Sequence, residues 1–347
     1  GYVAALKAAQ MGARTAIVEQ HPFFGGTCLN WGCIPSKALL ASSILIEEIR
    51  HASELGIEVS GSVKADWGKI QKRKDKVLRN LRGGIKSLFK ARDVKTFHGR
   101  GVLDGPGTIV IKQDGKKTGE LTAGKIILAV GSVPARIPGW PDNPERVCTS
   151  DEALHWEALP KSVLIAGGGI IGCEFACMMA PLGVEVTLVE MMPKLMPMMD
   201  EHLADEMAKE FKKRKLPCYT GTRVEEIKET GQGIEARLSN GETIQAEKVL
   251  VAIGRRPNTA GLGLETVGIE EERGFIRVND RMETTAENYY CIGDANGRSM
   301  LAHAASAQGV AAVENAMGHD KPFDAPIPSC VFTSPEMAAV GMTQQEA

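Results

Sequence analysis

Residues 161–190 read KSVLIAGGGIIGCEFACMMAPLGVEVTLVE, and this stretch decides the fold. Residues 161–166 form an apolar run of strand length. Gly167, Gly169 and Gly172 then give G-x-G-x-x-G, followed by a helical pattern, Gly183 and a second apolar strand closed by Glu190. In such a unit the first glycine permits the tight turn, the second lets the backbone approach a pyrophosphate, and the third lets helix and strand pack closely. The pyrophosphate would sit at the positive helix N-terminus. Glu190 is placed to accept hydrogen bonds from ribose hydroxyls. A glycine triplet alone is equally a structural turn; the complete strand–helix–strand unit with its terminal acid favours a dinucleotide site.

The unit occurs twice. Residues 1–20, GYVAALKAAQMGARTAIVEQ, align without a gap on residues 172–191. Gly1 matches Gly172, Ala5 matches Ala176, Gly12 matches Gly183, and Glu19 matches Glu190. Two dinucleotide folds in one chain imply two nucleotides, an electron donor and an acceptor. At the second unit, the Glu190 carboxylate repels a 2′-phosphate, and the first cation after it is Lys194, behind Met191, Met192 and Pro193. That pattern selects NAD over NADP. The first unit then holds the other nucleotide. Residues 289–294, YYCIGD, point to a flavin, because Asp294 could bind a polyol chain and the helix pattern that follows would stabilise a reduced ring. A helix-capping Asp294 is the rival reading, and spacing alone leaves both open.

Composition narrows the remaining classes. The chain has 347 residues and a net charge of -2, which suits two or three domains and gives no nucleic-acid footprint. No apolar run approaches the ~18 residues of a membrane helix. Of eight cysteines, most lie in apolar runs and read as small buried hydrophobes. Cys28 and Cys33 stand apart in GGTCLNWGCIPSK, with Pro35 suited to the first turn of a helix over about 34–50. A thiol at a helix start is favoured as thiolate. The other close pair, Cys173 and Cys177, lies in an apolar run and reads as buried hydrophobes, so no zinc site and no metal is expected. Two readings of the pair remain: a redox disulfide and two inert thiols. The basic run Lys69–Lys76 reads as a solvated helix face.

The segment GGTCLNWGCIPSKALL resembles the active-site segment of the pyridine nucleotide-disulfide oxidoreductases. The resemblance continues in order through ILAVGSVP, GGGIIGCEFA, VAIGRRPNT, CIGDANGRSMLAHAA and FTSPEMAAVG, and so covers the whole chain. It implies an α/β fold of two Rossmann-like dinucleotide-binding domains, FAD and NAD, with the start of a C-terminal dimerisation domain. The implied boundaries are 1–145 for FAD binding, 146–275 for NAD binding, 276–322 returning to the FAD domain, and 323–347 for the interface.

Site residues follow from the same resemblance. Cys28 matches the interchange thiol and Cys33 the thiol facing the flavin. Lys37 matches the lysine near the flavin ring, and Glu174 its carboxylate partner. Gly1, Glu19, Gly101, Val130, Gly131, Ser132, Asp294, Met300, Leu301, Ala302 and His303 match FAD contacts. Gly167, Gly168, Gly169, Ile170, Ile171, Gly172, Cys173, Glu174, Glu190, Val224 and Gly254 match the NAD site. Val130 departs from the family's usual Thr, and Pro181 is expected near the end of the NAD-domain helix.

The implied reaction is oxidation of a dihydrolipoyl dithiol through a Cys28–Cys33 disulfide and FAD, with reduction of NAD⁺. A mercuric- or glutathione-type reductase and an inactive remnant are the alternatives. The implied partners are the lipoyl domain of a 2-oxoacid dehydrogenase or glycine cleavage complex and a second copy in a homodimer, with no nucleic acid and no membrane. The implied location is the bacterial cytoplasm, or the mitochondrial matrix in a eukaryote. By this resemblance the chain is expected to start after the first strand of the FAD unit. It is also expected to stop before the family's catalytic His-Glu pair, and so to oxidise dihydrolipoamide poorly by itself.

Glu190 yields a direct expectation: kcat/KM for NAD⁺ exceeds that for NADP⁺, compared side by side in steady-state assays. Equal values, or a preference for NADP⁺, would refute the reading of this acid.

Overall fold

The computed structural model describes residues 1–347. Its eight helices are α1 (Tyr2–Gln10), α2 (Gly26–Trp31), α3 (Cys33–His51), α4 (Trp67–Ala91), α5 (Ser150–Ala153), α6 (Ile170–Met179), α7 (Glu201–Lys213) and α8 (Ala302–Ala316). The chain divides into two compact units. One comprises Gly1–Asn30, Leu78–Val133 and Arg256–Pro326; the other comprises Trp31–Val77, Pro134–Arg255 and Ile327–Ala347.

In the first unit, strand Ala16–Glu19 lies parallel to Lys95–His98, and strand Ile126–Leu128 lies parallel to Tyr289–Cys291. Strands Arg100–Leu103, Thr108–Gln113 and Lys116–Thr122 form an antiparallel meander. Helices α1 and α8 are packed closely through small residues, since a Cβ on Gly309 would come 3.3 Å from that of Ala4. Around them Met282, Tyr290, Ile292 and Val313 are buried. A second cluster joins Leu103, Ile126, Leu262, Leu264 and Ile276.

The second unit is built on a five-stranded parallel sheet. Its order is Cys218–Tyr219, Glu185–Val189, Ser162–Ala166, Lys248–Val251 and Val147–Thr149. Side chains alternate between its faces, as the pleat requires. Val163, Ile165, Leu188 and Leu250 join a core with Leu39, Leu40, Phe175 and Met179 of α3 and α6. Leu164, Ala166, Val249 and Val251 face an antiparallel meander that contributes Ile227, Ile234, Ala236 and Leu238. Both faces are covered, which explains why these strands read as continuous apolar runs. The chain runs outward from Ser162–Ala166 in one direction and returns at Lys248–Val251 on the other. The carboxyl ends of these two neighbours form a topological switch point, where ligands bind in open α/β sheets.

The two units divide the chain at other points than the expected boundaries, and one expectation needs correction. Residues 31–77 group with the dinucleotide sheet and not within a 1–145 block, because α3 buries Leu39 and Leu40 in that sheet's core. Residues 256–275 group with the first unit, because Leu262, Leu264 and Ile269 pack into its core. The helical run Gly26–Leu55 is long and apolar enough, by length and composition, to cross a membrane, so the reading that no such run exists fails. Within it, the apolar side chains Leu39 and Leu40 supply core.

The basic run is not uniformly solvated either. Lys74 is 1% exposed. Its Nζ donates to Leu154 O at 2.9 Å and lies 3.0 Å from His155 Nδ1, just beyond the end of α5. Arg73 donates to Ala38 O at 2.8 Å. Lys74, which satisfies a helix-end carbonyl, is buried without loss of hydrogen bonding.

Candidate active site

The glycines of residues 167–172 occupy three different environments. Gly167 has φ +111°, a conformation that L side chains rarely adopt, and a Cβ there would lie 2.4 Å from Ala252 O. Gly172 is the packing glycine: a Cβ would lie 1.9 Å from Gly167 O. Gly169 precedes α6, and a Cβ on it would meet nothing within 4 Å. No side chain caps α6. Its first-turn N–H groups therefore end at an open cradle that a side chain on residue 169 would fill. That is the arrangement a pyrophosphate requires.

Glu190 closes the next strand and is 8% exposed. Its Oε2 accepts from Gly168 N at 2.6 Å and its Oε1 from Met192 N at 2.6 Å. The carboxylate thus braces the glycine loop, and each oxygen keeps a lone pair for a ribose hydroxyl. Glu19 repeats the turn in the first unit, where Oε1 accepts from His21 N at 2.9 Å. Gly254, with φ +119°, follows the strand Lys248–Val251 across the switch point. Val224 begins the meander.

In the first unit, Ser132 Oγ donates to Asp294 Oδ2 at 2.5 Å. Asp294 lies in a 3-10 turn, Gly293–Asn296, directly after strand Tyr289–Cys291. Gln308 on α8 is fully buried, and its Oε1 accepts from Gly293 N at 2.7 Å and Asn296 Nδ2 at 3.0 Å, which fixes that turn to the helix. Ser132 follows Gly131, whose φ is +67° and whose O accepts from Asn258 N. Gly101 lies beside Val18, 3.5 Å from the position a Cβ would take. Neither α1, which follows Gly1, nor α8, which follows Leu301, carries a side-chain cap. Met300, Leu301, Ala302 and His303 lead into α8. Uncapped helix starts with nearby Glu19, Ser132 and Asp294 fit the anionic and polyol parts of a flavin dinucleotide.

Cys28 lies in α2 and is half-buried, and Cys33 is the exposed first residue of α3. Lys37 stands one turn beyond Cys33 on the same helix face. Its Nζ donates to both Glu174 oxygens, at 2.8 and 2.7 Å. Glu174 sits in α6, one turn from the glycine cradle. Further along both helices, Ser43 Oγ donates to Met178 O at 2.7 Å. The contacts advance in the same direction on each helix, so the helix starts carrying Cys33 and Gly169 lie toward the same end. Three of the other thiols are inert by comparison: burial pushes Cys177 up to about 11 and Cys148 and Cys218 up to about 12.

Residues 1–309 match the family described as pyridine nucleotide-disulphide oxidoreductase. The chain belongs to this family. It is 40% identical to a dihydrolipoyl dehydrogenase of Bacillus subtilis over 362 residues, covering 100% of this chain and 76% of the relative. It is 40% identical to a dihydrolipoyl dehydrogenase of Chlamydia pneumoniae, covering 100% and 74%. Among solved structures it is similar to LpdA of Mycobacterium tuberculosis, with TM-score 0.92, 31% identity and coverage of 100% and 77%. It is also similar to the Escherichia coli flavoprotein disulfide reductase RclA in a Cu(II) complex, with TM-score 0.87, 26% identity and coverage of 100% and 76%.

Set against this family, the structure brings Lys37 to Glu174, Ser132 to Asp294, and Glu190 to Gly168. Sequence reasoning missed Phe332. Its backbone N donates to Glu174 Oε1 at 3.0 Å, and Lys37 Nζ stands 4.6 Å from its ring centroid. The only signal was the segment FTSPEM, which carries no spacing rule for such a contact.

Two glycine variants separate packing from ligand binding. Gly172→Ala is expected to destabilise the protein by about 1–3 kcal/mol in urea unfolding, the scale of overpacking. Gly169→Ala should cost under about 1 kcal/mol yet weaken NADH binding roughly tenfold or more, ~1.4 kcal/mol or above. Unchanged NADH affinity in Gly169→Ala would show that the cradle is only a turn.

Proposed function

We infer that the protein is a FAD-dependent dihydrolipoyl dehydrogenase that passes two electrons from a dihydrolipoyl dithiol to NAD⁺. The Lys37–Glu174 pair carries this reading, because one contact ties the helix that begins with Cys33 to the helix that begins at the nucleotide cradle. The 40% identity to dihydrolipoyl dehydrogenases, against 26% to RclA, supports this substrate over those of other disulfide reductases.

In this reading Cys28 and Cys33 form a disulfide in the oxidised protein. One substrate thiolate attacks Cys28 Sγ, the S–S bond breaks, and Cys33 leaves as a thiolate. The second substrate thiol then attacks its own sulfur partner in the mixed disulfide. The lipoyl ring closes and Cys28 is released. The substrate has lost two electrons, and the protein holds them as a dithiol. The Cys33 thiolate forms at a helix N-terminus with the Lys37 ammonium one turn away, and both stabilise negative charge. Glu174 holds that ammonium in place through both carboxylate oxygens. A bound flavin supplies the passage of the electron pair from thiolate to nicotinamide. Glu19, Ser132, Asp294 and the starts of α1 and α8 would hold it, and the cradle with Glu190 would hold NAD⁺. The substrate is carried on a lipoyl-bearing protein domain, and the protein works as a homodimer.

Anaerobic mixing of the FAD-loaded protein with dihydrolipoamide tests the reading. Two thiols should appear together with a long-wavelength thiolate–flavin absorbance band. Cys28→Ser should retain that band in the resting protein, and Cys33→Ser should lack it under every condition. Identical spectra for the two variants would overturn the roles assigned to them. Reduction by glutathione but not by dihydrolipoamide would overturn the substrate.

A further inference from the structure

We propose that Phe332 is a positioning residue that holds both members of the Lys37–Glu174 pair, its backbone N–H fixing the carboxylate and its ring fixing the ammonium. Strand Ser329–Val331 pairs with Met337–Ala339 in a hairpin. Val331 is 1% exposed and Thr333 is fully buried, so the backbone on either side of Phe332 is pinned. Val331 and Met337 enter the same core as Phe175 of α6 and Leu39 of α3. Arg214 Nη2 donates to Ser334 Oγ at 2.9 Å and anchors the turn beyond. The hairpin therefore has one fixed place beside α3 and α6, and Phe332 is its residue facing the ion pair.

The contacts are complementary. Glu174 Oε1 is shared between Lys37 Nζ at 2.8 Å and Phe332 N at 3.0 Å. The backbone donor occupies a lone pair that would otherwise let the carboxylate rotate. The ring presents its negative face to an ammonium 4.6 Å from its centroid, inside the range of a cation–π contact. Lys37 retains 31% side-chain exposure against 11% for Glu174. Without the ring the flexible lysine stem could swing its charge into water at little cost. Three segments remote in sequence, α3, α6 and the hairpin, thus converge on one amine.

This inference rests on the reading of Lys37 as the flavin-side lysine, and the test separates the two. The FAD-loaded protein, Phe332→Leu and Phe332→Trp are labelled with trace acetic anhydride, and acetylation of Lys37 is quantified by peptide mass spectrometry. Lys209, which is exposed and paired with Glu206, is the internal standard. Loss of the ring should raise Lys37 acetylation roughly two- to five-fold relative to Lys209, the scale of one exposed cation–π contact. Trp, the strongest such partner, should restore the original rate. If Phe332→Leu does not fold, Phe332→Met removes the ring while keeping similar volume. An unchanged Lys37 rate in the ring-less variant, or no restoration by Trp, overturns the proposal. The flavin midpoint potential is read in the same samples. A potential that moves with the labelling supports both statements. A labelling change with a fixed potential supports the role of Phe332 and removes Lys37 from the flavin.

Discussion

The two-pronged contact of Lys37 with Glu174 is the constraint on which the rest of the site depends. Lys37 is one turn from Cys33, and Glu174 is one turn from the glycine cradle. A carboxylate and an ammonium that are partly removed from water attract more strongly than a surface pair, provided the geometry is held. It is held here by Ser43 on Met178 O, by the buried Leu39 and Leu40, and by the hairpin residue Phe332. Cys33 and the glycine cradle are therefore carried on two helices tied together by side-chain contacts.

The cradle is a consequence of sheet topology as much as of glycine. Only at the switch point do two neighbouring parallel strands send their chains apart, leaving a crevice at their carboxyl ends. Gly167 can turn there because no Cβ meets Ala252 O, and Gly172 lets α6 lie down on the loop. Glu190 then does double work. It braces Gly168 and Met192 through their N–H groups, and in the proposed reading its charge opposes a 2′-phosphate. Substituting this acid to change nucleotide preference would also loosen the loop.

Much of this was legible in the sequence because the governing rules are short-range. The gapless match of residues 1–20 to 172–191 announced two equivalent turns, and Glu19 and Glu190 do accept from backbone N–H groups two residues on. The helix after Cys33 runs Cys33–His51, close to the expected 34–50. Pro181 falls, as expected, at the end of α6, in a 3-10 turn, Ala180–Leu182. What stayed hidden depends on tertiary placement. Phe332 reaches Glu174 across 158 residues. Lys74 looks like its solvated neighbours until α4 lies against the end of α5. Residues 31–77 belong with the second unit because of where two leucines go, and no local pattern reports that.

The most direct test of the account is a double-mutant cycle on Lys37→Met and Glu174→Gln, read by urea unfolding of the FAD-loaded protein. If the pair couples the two helices, the coupling energy is about 1–3 kcal/mol, as for residues in contact within one network. Additive losses, with a coupling below about 0.5 kcal/mol, would mean that the helices are held by packing alone and that the pair is not the element on which the site depends.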